Sequence, residues 1–238
     1  MNMDNVSLVI LAAGKGSRLN QEQPKPLVPI EGIPLINTIL TLGKRLSFAG
    51  IYIIISEYTQ ALQQSYPDPA YQYIMTSPRG TADAVWQALP QITTSQTVIA
   101  QADDSFFYTE ETLGRLIRDH QRFAADFTLG AAYTQEVVPY TACVYDHDQR
   151  FIRLKNKPAL PGESVACGLY IGQTDWLREH FAELSQNEQG EYGIPTCYCA
   201  RAEEDQIYVN LVPYNEWQGI NTPEELEKAR NMYNKYKI

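Results

Sequence analysis

The sequence has little positive charge and few histidines for its length. Its 238 residues include 19 Lys or Arg against 28 Asp or Glu, giving a net charge of −9, and only three histidines. Binding along a nucleic-acid backbone requires a basic face, so this balance argues against a general nucleic-acid-binding protein. The scattered histidines indicate neither a His-rich metal site nor a Ser–His relay. A local basic pocket for a small anion is still compatible with this composition.

Long apolar runs and metal-type cysteine spacing are also lacking. No run approaches the roughly 18 apolar residues that a membrane-spanning helix needs. The apolar run Val6–Ala13 is too short and too early for a signal peptide. Cys197 and Cys199 are separated by a single residue, whereas structural zinc pairs usually have about two to four between them. We therefore expect free thiols and a cytoplasmic protein that does not bind membranes.

Short apolar runs alternate with helical patterns in the first half of the chain. The predicted elements of this half are four strands and three helices, Val6–Ala12, Leu35–Leu46 (helix), Ile51–Ser56, Tyr71–Thr76, Thr81–Leu89 (helix), Val98–Ala102 and Glu110–Arg122 (helix). Continuous apolar strands separated by helices are typical of a parallel sheet that is covered on both faces. This half is therefore predicted to be α/β and doubly wound.

The second half has strand-like segments with shorter connections, which favours antiparallel or mixed pairing. Its predicted elements are Phe127–Tyr133, Thr141–Tyr145, Phe151–Leu154, Val165–Ile171, Thr174–Leu184 (helix), Tyr192–Arg201 (helix), Ile207–Pro213 and a last helix that starts at Thr222-Pro-Glu-Glu225. We find no repeat, no low-complexity segment and no Gly/Ser-rich linker. The prediction is one domain over residues 1–238, with three α/β/α layers around a mixed, mostly parallel sheet.

The loop after the first strand carries the strongest chemical signal. Its small residues, Ala12-Ala13-Gly14, let the backbone approach a ligand closely. Lys15, Arg18 and Lys25 then place three cations within eleven residues of an acidic protein. The glycine spacing fits neither a dinucleotide-binding motif nor a Walker loop. At the carboxyl end of a parallel strand, where α/β sheets bind ligands, this loop predicts an anionic ligand.

The loop Leu11–Pro26 resembles the opening signature of nucleotidyltransferases that couple an NTP to a phosphorylated small molecule, mostly a sugar 1-phosphate. The short spacing from Arg18 to Lys25 is similar to that of the N-acetylglucosamine-1-phosphate uridylyltransferase branch. Four later segments resemble family motifs in order and spacing: Gly80–Val85, Ala102–Asp104, Cys167–Tyr170 and Gly219–Leu226. The resemblance implies a glycosyltransferase-A-like fold with a Rossmann-like nucleotide-binding half (about 1–125) and an acceptor-binding half (about 126–238).

The resemblance also implies a set of site residues. They are Arg18 and Lys25 as catalytic residues; Leu11, Ala12, Ala13, Gly14, Lys15, Gly16, Gly80 and Thr81 as nucleotide-binding; Lys157, Gly168 and Glu191 as acceptor-binding; and Asp103 and Asn221 as Mg²⁺ ligands. Asp104 is the fallback for Asp103. One branch of the family has Asp where this chain has Gly219, and if that alignment governs, the second metal ligand is missing.

The function implied is a Mg²⁺-dependent nucleotidyl transfer from an NTP to a sugar 1-phosphate, which releases pyrophosphate and an NDP-sugar. Three departures from the sugar-binding pattern, Asn156, Ala166 and Cys167, keep an alternative open. In it, a cytidylyltransferase acts on phosphocholine or another phosphorylated alcohol. Two further alternatives are an NDP-sugar-dependent glycosyltransferase and a non-catalytic nucleotide-binding subunit. The expected partners are the NTP and its phosphorylated acceptor, and a homo-oligomer is left open.

Overall fold

The computed structural model describes residues 3–104 and 106–236, so five residues of the predicted domain lie outside the described ranges. The strands and helices follow the chain in this order: β1 (Val6–Leu11), β2 (Pro29–Ile30), β3 (Ile33–Pro34), α1 (Asn37–Arg45), β4 (Gly50–Ile55), α2 (Ala61–Ser65), β5 (Tyr71–Met75), α3 (Thr81–Ala88), β6 (Gln96–Gln101), α4 (Glu110–Arg122), β7 (Phe127–Tyr133), β8 (Cys143–Tyr145), β9 (Phe151–Leu154), β10 (Ser164–Gln173), α5 (Thr174–Ala182), α6 (Ile194–Ala200), β11 (Ile207–Val212) and α7 (Pro223–Tyr236).

Seven strands form the central sheet in the order β11-β7-β10-β6-β1-β4-β5. β1 lies between β4 and β6 and is parallel to both, with Leu8 opposite Ile51 on one side and Val98 on the other. β10 is antiparallel to β6 and to β7, and β11 is parallel to β7. The chain leaves β1 toward β4 and β5, then returns to β6 on the opposite side of β1. The sheet therefore has a topological switch point between β1 and β6, where ligand crevices form.

Both faces of the sheet are covered, which confirms the three-layer α/β fold. Successive side chains of β1 point to opposite faces of the sheet. Leu8 and Ile10 belong to the apolar cluster on one face, and Val9 and Leu11 belong to the cluster on the other. Helices α1 and α4 contribute to the first cluster, and α3, α5 and α6 contribute to the second. Two small antiparallel pairs, β2 with β3 and β8 with β9, lie outside the main sheet.

Two predicted helices begin two residues later in the structure, because their first residues make backbone hydrogen bonds to other segments. The helix expected at Leu35 begins at Asn37, since the Leu35 and Ile36 amides donate to carbonyls of the preceding loop at 3.0 Å. The helix expected at Tyr192 begins at Ile194, since the Tyr192 backbone pairs with the start of α3. The mixed pairing expected of the second half is confirmed, because β7 is antiparallel to β10 and parallel to β11.

A third apolar cluster joins the segments that flank the expected site. Its members come from the segment between β1 and α1, the turn after β6, and α7 with the residues before it, namely Leu19, Val28, Ile30, Leu35, Phe106, Phe107, Ile220, Leu226 and Ala229. Phe106 and Phe107 are almost completely buried here, so these aromatic residues after β6 are core residues. This cluster packs together three segments that are far apart in the sequence and lie next to predicted site residues. It therefore fixes the distances between them. Within the described residues, no helix combines the length and apolar character required to cross a membrane.

Candidate functional site

A cavity of about 510 Å³ opens at the carboxyl end of β1, beside the switch point between β1 and β6. This volume falls in the range of about 300–1,000 Å³ that is typical of small-molecule sites. Most of the site residues expected from the sequence line it, namely Leu11, Ala12, Ala13, Gly14, Lys15, Gly16, Arg18, Lys25, Gly80, Thr81, Asp103, Glu191 and Asn221. The cavity therefore receives side chains from both halves of the chain.

The loop after β1 folds into two short turns that bring its cations back over the sheet edge. Gly16 has a left-handed conformation (φ 65°) and precedes a 3₁₀ turn at Ser17–Leu19. A second 3₁₀ turn, Lys25–Leu27, places Lys25 against Gly16. A Cβ at position 16 would lie only 2.8 Å from the Lys25 Cβ. The glycine thus serves both the turn and the close approach of the lysine.

We expect Gly16→Ala to lower the free energy of unfolding by about 1–3 kcal/mol, because alanine is strained at this φ and meets Lys25. Urea denaturation measures this difference. Gly14→Ala is the matched control, since a Cβ at Gly14 has no heavy atom within 4 Å. The control should stay within about 0.5 kcal/mol of the wild type. Equal losses in the two variants would contradict the steric argument.

Lys25, Asp103 and Asn221 form the polar centre of the cavity. The Lys25 ammonium makes an ion pair with the Asp103 carboxylate, and these side chains are 10% and 20% exposed. Lys25 Nζ also donates to Asn221 Oδ1 at 3.1 Å, and Arg18 Nη2 approaches the same oxygen at 3.4 Å. Two oxygens from separate segments therefore converge on one positive centre.

Asp104 faces away from this cavity. Its Oδ1 is buried without a hydrogen-bond partner, and the Ile220 amide donates to its carboxyl group. Burial, reinforced by the neighbouring Asp103 carboxylate, raises the pKa of Asp104 well above its usual value. Of the two aspartates after β6, only Asp103 lines the cavity.

The donor set of the cavity fits a hard divalent cation. Asp103 supplies a carboxylate and Asn221 supplies an amide oxygen, and oxygen ligands are the ones that Mg²⁺ prefers. Among the described residues, no three His, Cys, Asp or Glu side chains gather as a metal site. A cation held here would therefore complete its shell with substrate phosphates and water, as Mg²⁺ usually does in phosphate-binding sites.

The far wall of the cavity is built from two segments joined through their backbones. Gly80 precedes α3 with φ 132°, and the Tyr192 amide donates to the Arg79 carbonyl at 2.9 Å. The Ala82 amide in turn donates to the Tyr192 carbonyl at 2.9 Å. This pairing fixes the position of the loop that carries Glu191 at the cavity rim.

Two of the acceptor residues expected from the sequence do not line the cavity. Lys157 is exposed on the loop between β9 and β10. Gly168 lies behind the site, at an irregularity in β10 where its φ is 71° and a Cβ would meet Asp104 Oδ2 at 2.8 Å. Gly168 therefore makes room for the Asp104 carboxyl group.

The structure adds lining residues that sequence reasoning missed, namely Ser17, Pro26, Tyr58, Pro78, Ala84 and Gln101. Tyr58 and Pro78 follow β4 and β5, whose carboxyl ends meet at the same edge as that of β1. The Lys15 ammonium lies 5.1 Å from the centre of the Tyr58 ring, in a cation–π contact. The ends of the predicted parallel strands were the signal that could have identified both residues.

Curated relatives match most of this chain at low identity. The bifunctional protein GlmU of Janthinobacterium sp. (strain Marseille) is 26% identical over 238 residues, which cover 96% of this chain and 52% of the relative. GlmU of Thermotoga sp. (strain RQ2) is 28% identical over 225 residues, which cover 92% of this chain and 49% of the relative. The chain therefore spans about half the length of these relatives.

Two solved structures share the fold over nearly their whole length. HddC from Yersinia pseudotuberculosis, complexed with GMP-PN, superimposes with a TM-score of 0.77 at 19% identity, covering 95% of this chain and 99% of that one. A putative glucose-1-phosphate thymidylyltransferase from Bacillus anthracis, in complex with a sucrose, gives 0.81 at 17% identity, with 95% and 94% covered. At such identities the likeness concerns the fold.

A family model decides the relationship, because it matches nearly the whole chain rather than one motif. The family model described as "Nucleotidyl transferase" matches residues 7–235 of this chain. This range contains the cation-bearing loop, the aspartates after β6 and the segment that carries Asn221. The expectation drawn from the sequence motifs is confirmed, and this chain belongs to the nucleotidyl transferase family of enzymes.

Proposed function

We propose that the chain is a Mg²⁺-dependent nucleotidyltransferase that couples an NTP to a sugar 1-phosphate, releasing pyrophosphate and an NDP-sugar. One observation supports this proposal more strongly than any other. Lys25, Arg18 and Asn221 meet Asp103 in one cavity at the switch point of the sheet, so cations and metal-type oxygens face the same space. Both features are needed where a polyphosphate is bound and cleaved.

The reaction is an attack by an acceptor phosphate oxygen on the α-phosphorus of the NTP. The new P–O bond forms as the bond from the α-phosphorus to the bridging oxygen of the β-phosphate breaks, and pyrophosphate carries away the electron pair. Such a transfer depends on positioning and charge neutralisation rather than on a covalent enzyme intermediate. The chain therefore needs cations and fixed amides around the phosphates, and no protein nucleophile.

Each polar residue of the cavity has a role in this scheme. The Lys25 ammonium, paired with Asp103 in the free protein, turns to the α-phosphate and the attacking phosphate when substrates bind. Arg18 and Lys15, both exposed on the loop, contact the β- and γ-phosphates and stabilise the departing pyrophosphate. Asp103 and Asn221 are the proposed metal ligands. A Mg²⁺ ion held by these two residues would offset the charge of the phosphates.

The remaining walls suit a nucleoside and an acceptor. Ala12, Ala13, Gly80 and Thr81 give a small-residue surface against which a base can lie closely. Glu191, on the loop that pairs with the start of α3, lines the cavity and is the proposed ligand of acceptor hydroxyl groups. We propose that the base lies against Ala12 and Ala13 and the acceptor beside Glu191. Lys157 is proposed on the acceptor side, outside this cavity, whereas Gly168, behind the site, acts by making room for Asp104.

The direct test measures Mg²⁺-dependent pyrophosphate release with the four ribo-NTPs and dTTP, each paired with a panel of sugar 1-phosphates and with phosphocholine. We expect one nucleotide and one sugar 1-phosphate to be productive, and EDTA to abolish the release. Reactions without acceptor are the control for simple NTP hydrolysis. Turnover with CTP and phosphocholine alone would replace the sugar acceptor in the proposal. A folded protein that binds no NTP would contradict it and favour the glycosyltransferase or non-catalytic alternatives.

A further inference from the structure

The segment that carries Asn221 has a glycine with no room for a side chain. A Cβ at Gly219 would lie 2.3 Å from the Tyr140 hydroxyl oxygen and 2.9 Å from Cζ of the same ring. The Tyr140 hydroxyl thus stands where a side chain at position 219 would begin. A carboxylate cannot be supplied from this position while Tyr140 keeps its place, so the polar group nearest the cavity in this segment is Asn221.

Hydrogen bonds fix which way the Asn221 amide points. Its two neighbours in the cavity, Lys25 and Arg18, are cations that can only donate, so Oδ1 must face them. Its Nδ2 then faces the protein, where it donates to the Tyr140 hydroxyl at 3.0 Å. The Tyr140 hydroxyl in turn donates a hydrogen bond to Glu225 Oε1 at 2.5 Å.

Glu225 closes this chain of hydrogen bonds on the backbone. Its Oε2 accepts from the amides of Asn221 and Thr222, at 2.6 and 3.2 Å. Thr222 Oγ1 in turn accepts from the Glu225 amide at 3.3 Å, which forms a capping box at the start of α7. The carboxylate is therefore held in place without Tyr140, and Tyr140 is the link between it and the Asn221 side chain.

The Tyr140 ring has its own support. It packs against the Trp217 ring with the centres 5.7 Å apart and the planes at 66°, an edge-on arrangement. Phenylalanine at this position keeps the ring contact and removes only the hydroxyl. The hydroxyl's effect on Asn221 can therefore be separated from the packing of the ring.

We propose that Tyr140 is a positioning residue for the nucleotidyl transfer, whose hydroxyl holds the Asn221 amide with Oδ1 toward the phosphate and metal side of the cavity. The proposal rests on the function proposed above. Without the hydroxyl, Nδ2 loses the acceptor that it has among the described residues, and the amide can turn its donors toward Lys25 and Arg18. Such partners of a metal ligand typically change affinity or activity about 10–100-fold when they are removed.

The experiment compares Tyr140→Phe, Asn221→Ala and the double variant with the wild type. Mn²⁺ is the probe, titrated by electron paramagnetic resonance in the presence of each nucleotide of the panel, and turnover is measured alongside. We expect Tyr140→Phe to weaken Mn²⁺ binding and lower kcat by about 10-fold. In the Asn221→Ala background the same change should have almost no further effect, since the group that Tyr140 orients is gone.

Tyr214→Phe is the matched control. The Tyr214 hydroxyl lies on the surface, where it hydrogen-bonds to the Tyr236 hydroxyl at 3.1 Å and to the Gln135 side chain, and it does not contact Asn221, so its loss should leave Mn²⁺ binding unchanged. An effect of Tyr140→Phe that persists at full size in the Asn221→Ala background would overturn the positioning role, because packing alone would then explain it. So would a Tyr140→Phe variant equal to the wild type. A wild type that binds neither Mn²⁺ nor nucleotide would instead overturn the proposed function itself.

Discussion

Lys25→Ala is expected to reduce nucleotidyl transfer by about 10²–10³-fold, the effect of removing one preorganised charge from a developing anion. Lys25 is the least exposed cation of the site, and its ammonium already lies where the Asp103 and Asn221 oxygens converge. In the proposed mechanism, the same charge faces the phosphates that gain negative charge in the transition state. The loss should appear chiefly in kcat, measured by pyrophosphate release under saturating substrates.

The variant is expected to remain folded. Removing Lys25 leaves the Asp103 carboxylate partly buried without its partner, which costs about 1–3 kcal/mol. A domain with a stability of about 5–15 kcal/mol withstands such a loss. Lys44→Ala is the matched control, because Lys44 also pairs with an aspartate, Asp68, but does so at the surface. Unchanged turnover in Lys25→Ala, or an equal loss in Lys44→Ala, would refute the assigned role.

Most of the sheet could be predicted from the sequence because its strands are nearly pure apolar runs. Ile51–Ser56, for example, has the composition of a strand buried on both faces, and β4 occupies Gly50–Ile55. The small pairs and short helices could not be predicted in this way. β2 and β3 have two residues each, and α2 has five, which is too short for a period to show. Their positions are set by contacts with distant segments.

The candidate site, too, could be predicted from the sequence only in part. The loop after β1 could be predicted because its cations and small residues are contiguous, and the pair Asp103 and Asp104 could be placed by its position after a strand, with Asp103 preferred from the family resemblance. The Tyr140–Asn221–Glu225 network could not, since it joins a loop before β8 to the start of α7 through side-chain hydrogen bonds. The choice between Asp103 and Asp104 likewise depended on which carboxyl group turns toward the cavity, and neighbouring residues in a turn give no such signal.

Gly80→Ala is expected to have the largest effect on stability, lowering the free energy of unfolding by about 3–4 kcal/mol. An added Cβ would lie 2.4–2.7 Å from the backbone oxygen, nitrogen and carbon of Tyr192, and alanine is strained at φ 132°. Backbone atoms cannot rotate away as a side-chain end can. Relief of the contact therefore requires breaking the two hydrogen bonds that join Tyr192 to Arg79 and Ala82.

Displacement of the Tyr192 backbone in Gly80→Ala should also weaken substrate binding. Glu191 directly precedes Tyr192 and Gly80 lines the same cavity, so the variant is expected to raise the KM for the acceptor and the KM for the nucleotide. Gly193→Ala is the control from the same loop, since its Cβ would be no closer than 3.5 Å to any heavy atom and its φ is −90°. It should unfold within about 0.5 kcal/mol of the wild type. If both glycines tolerate alanine equally, the backbone pairing of α3 with this loop does not fix the acceptor side of the cavity.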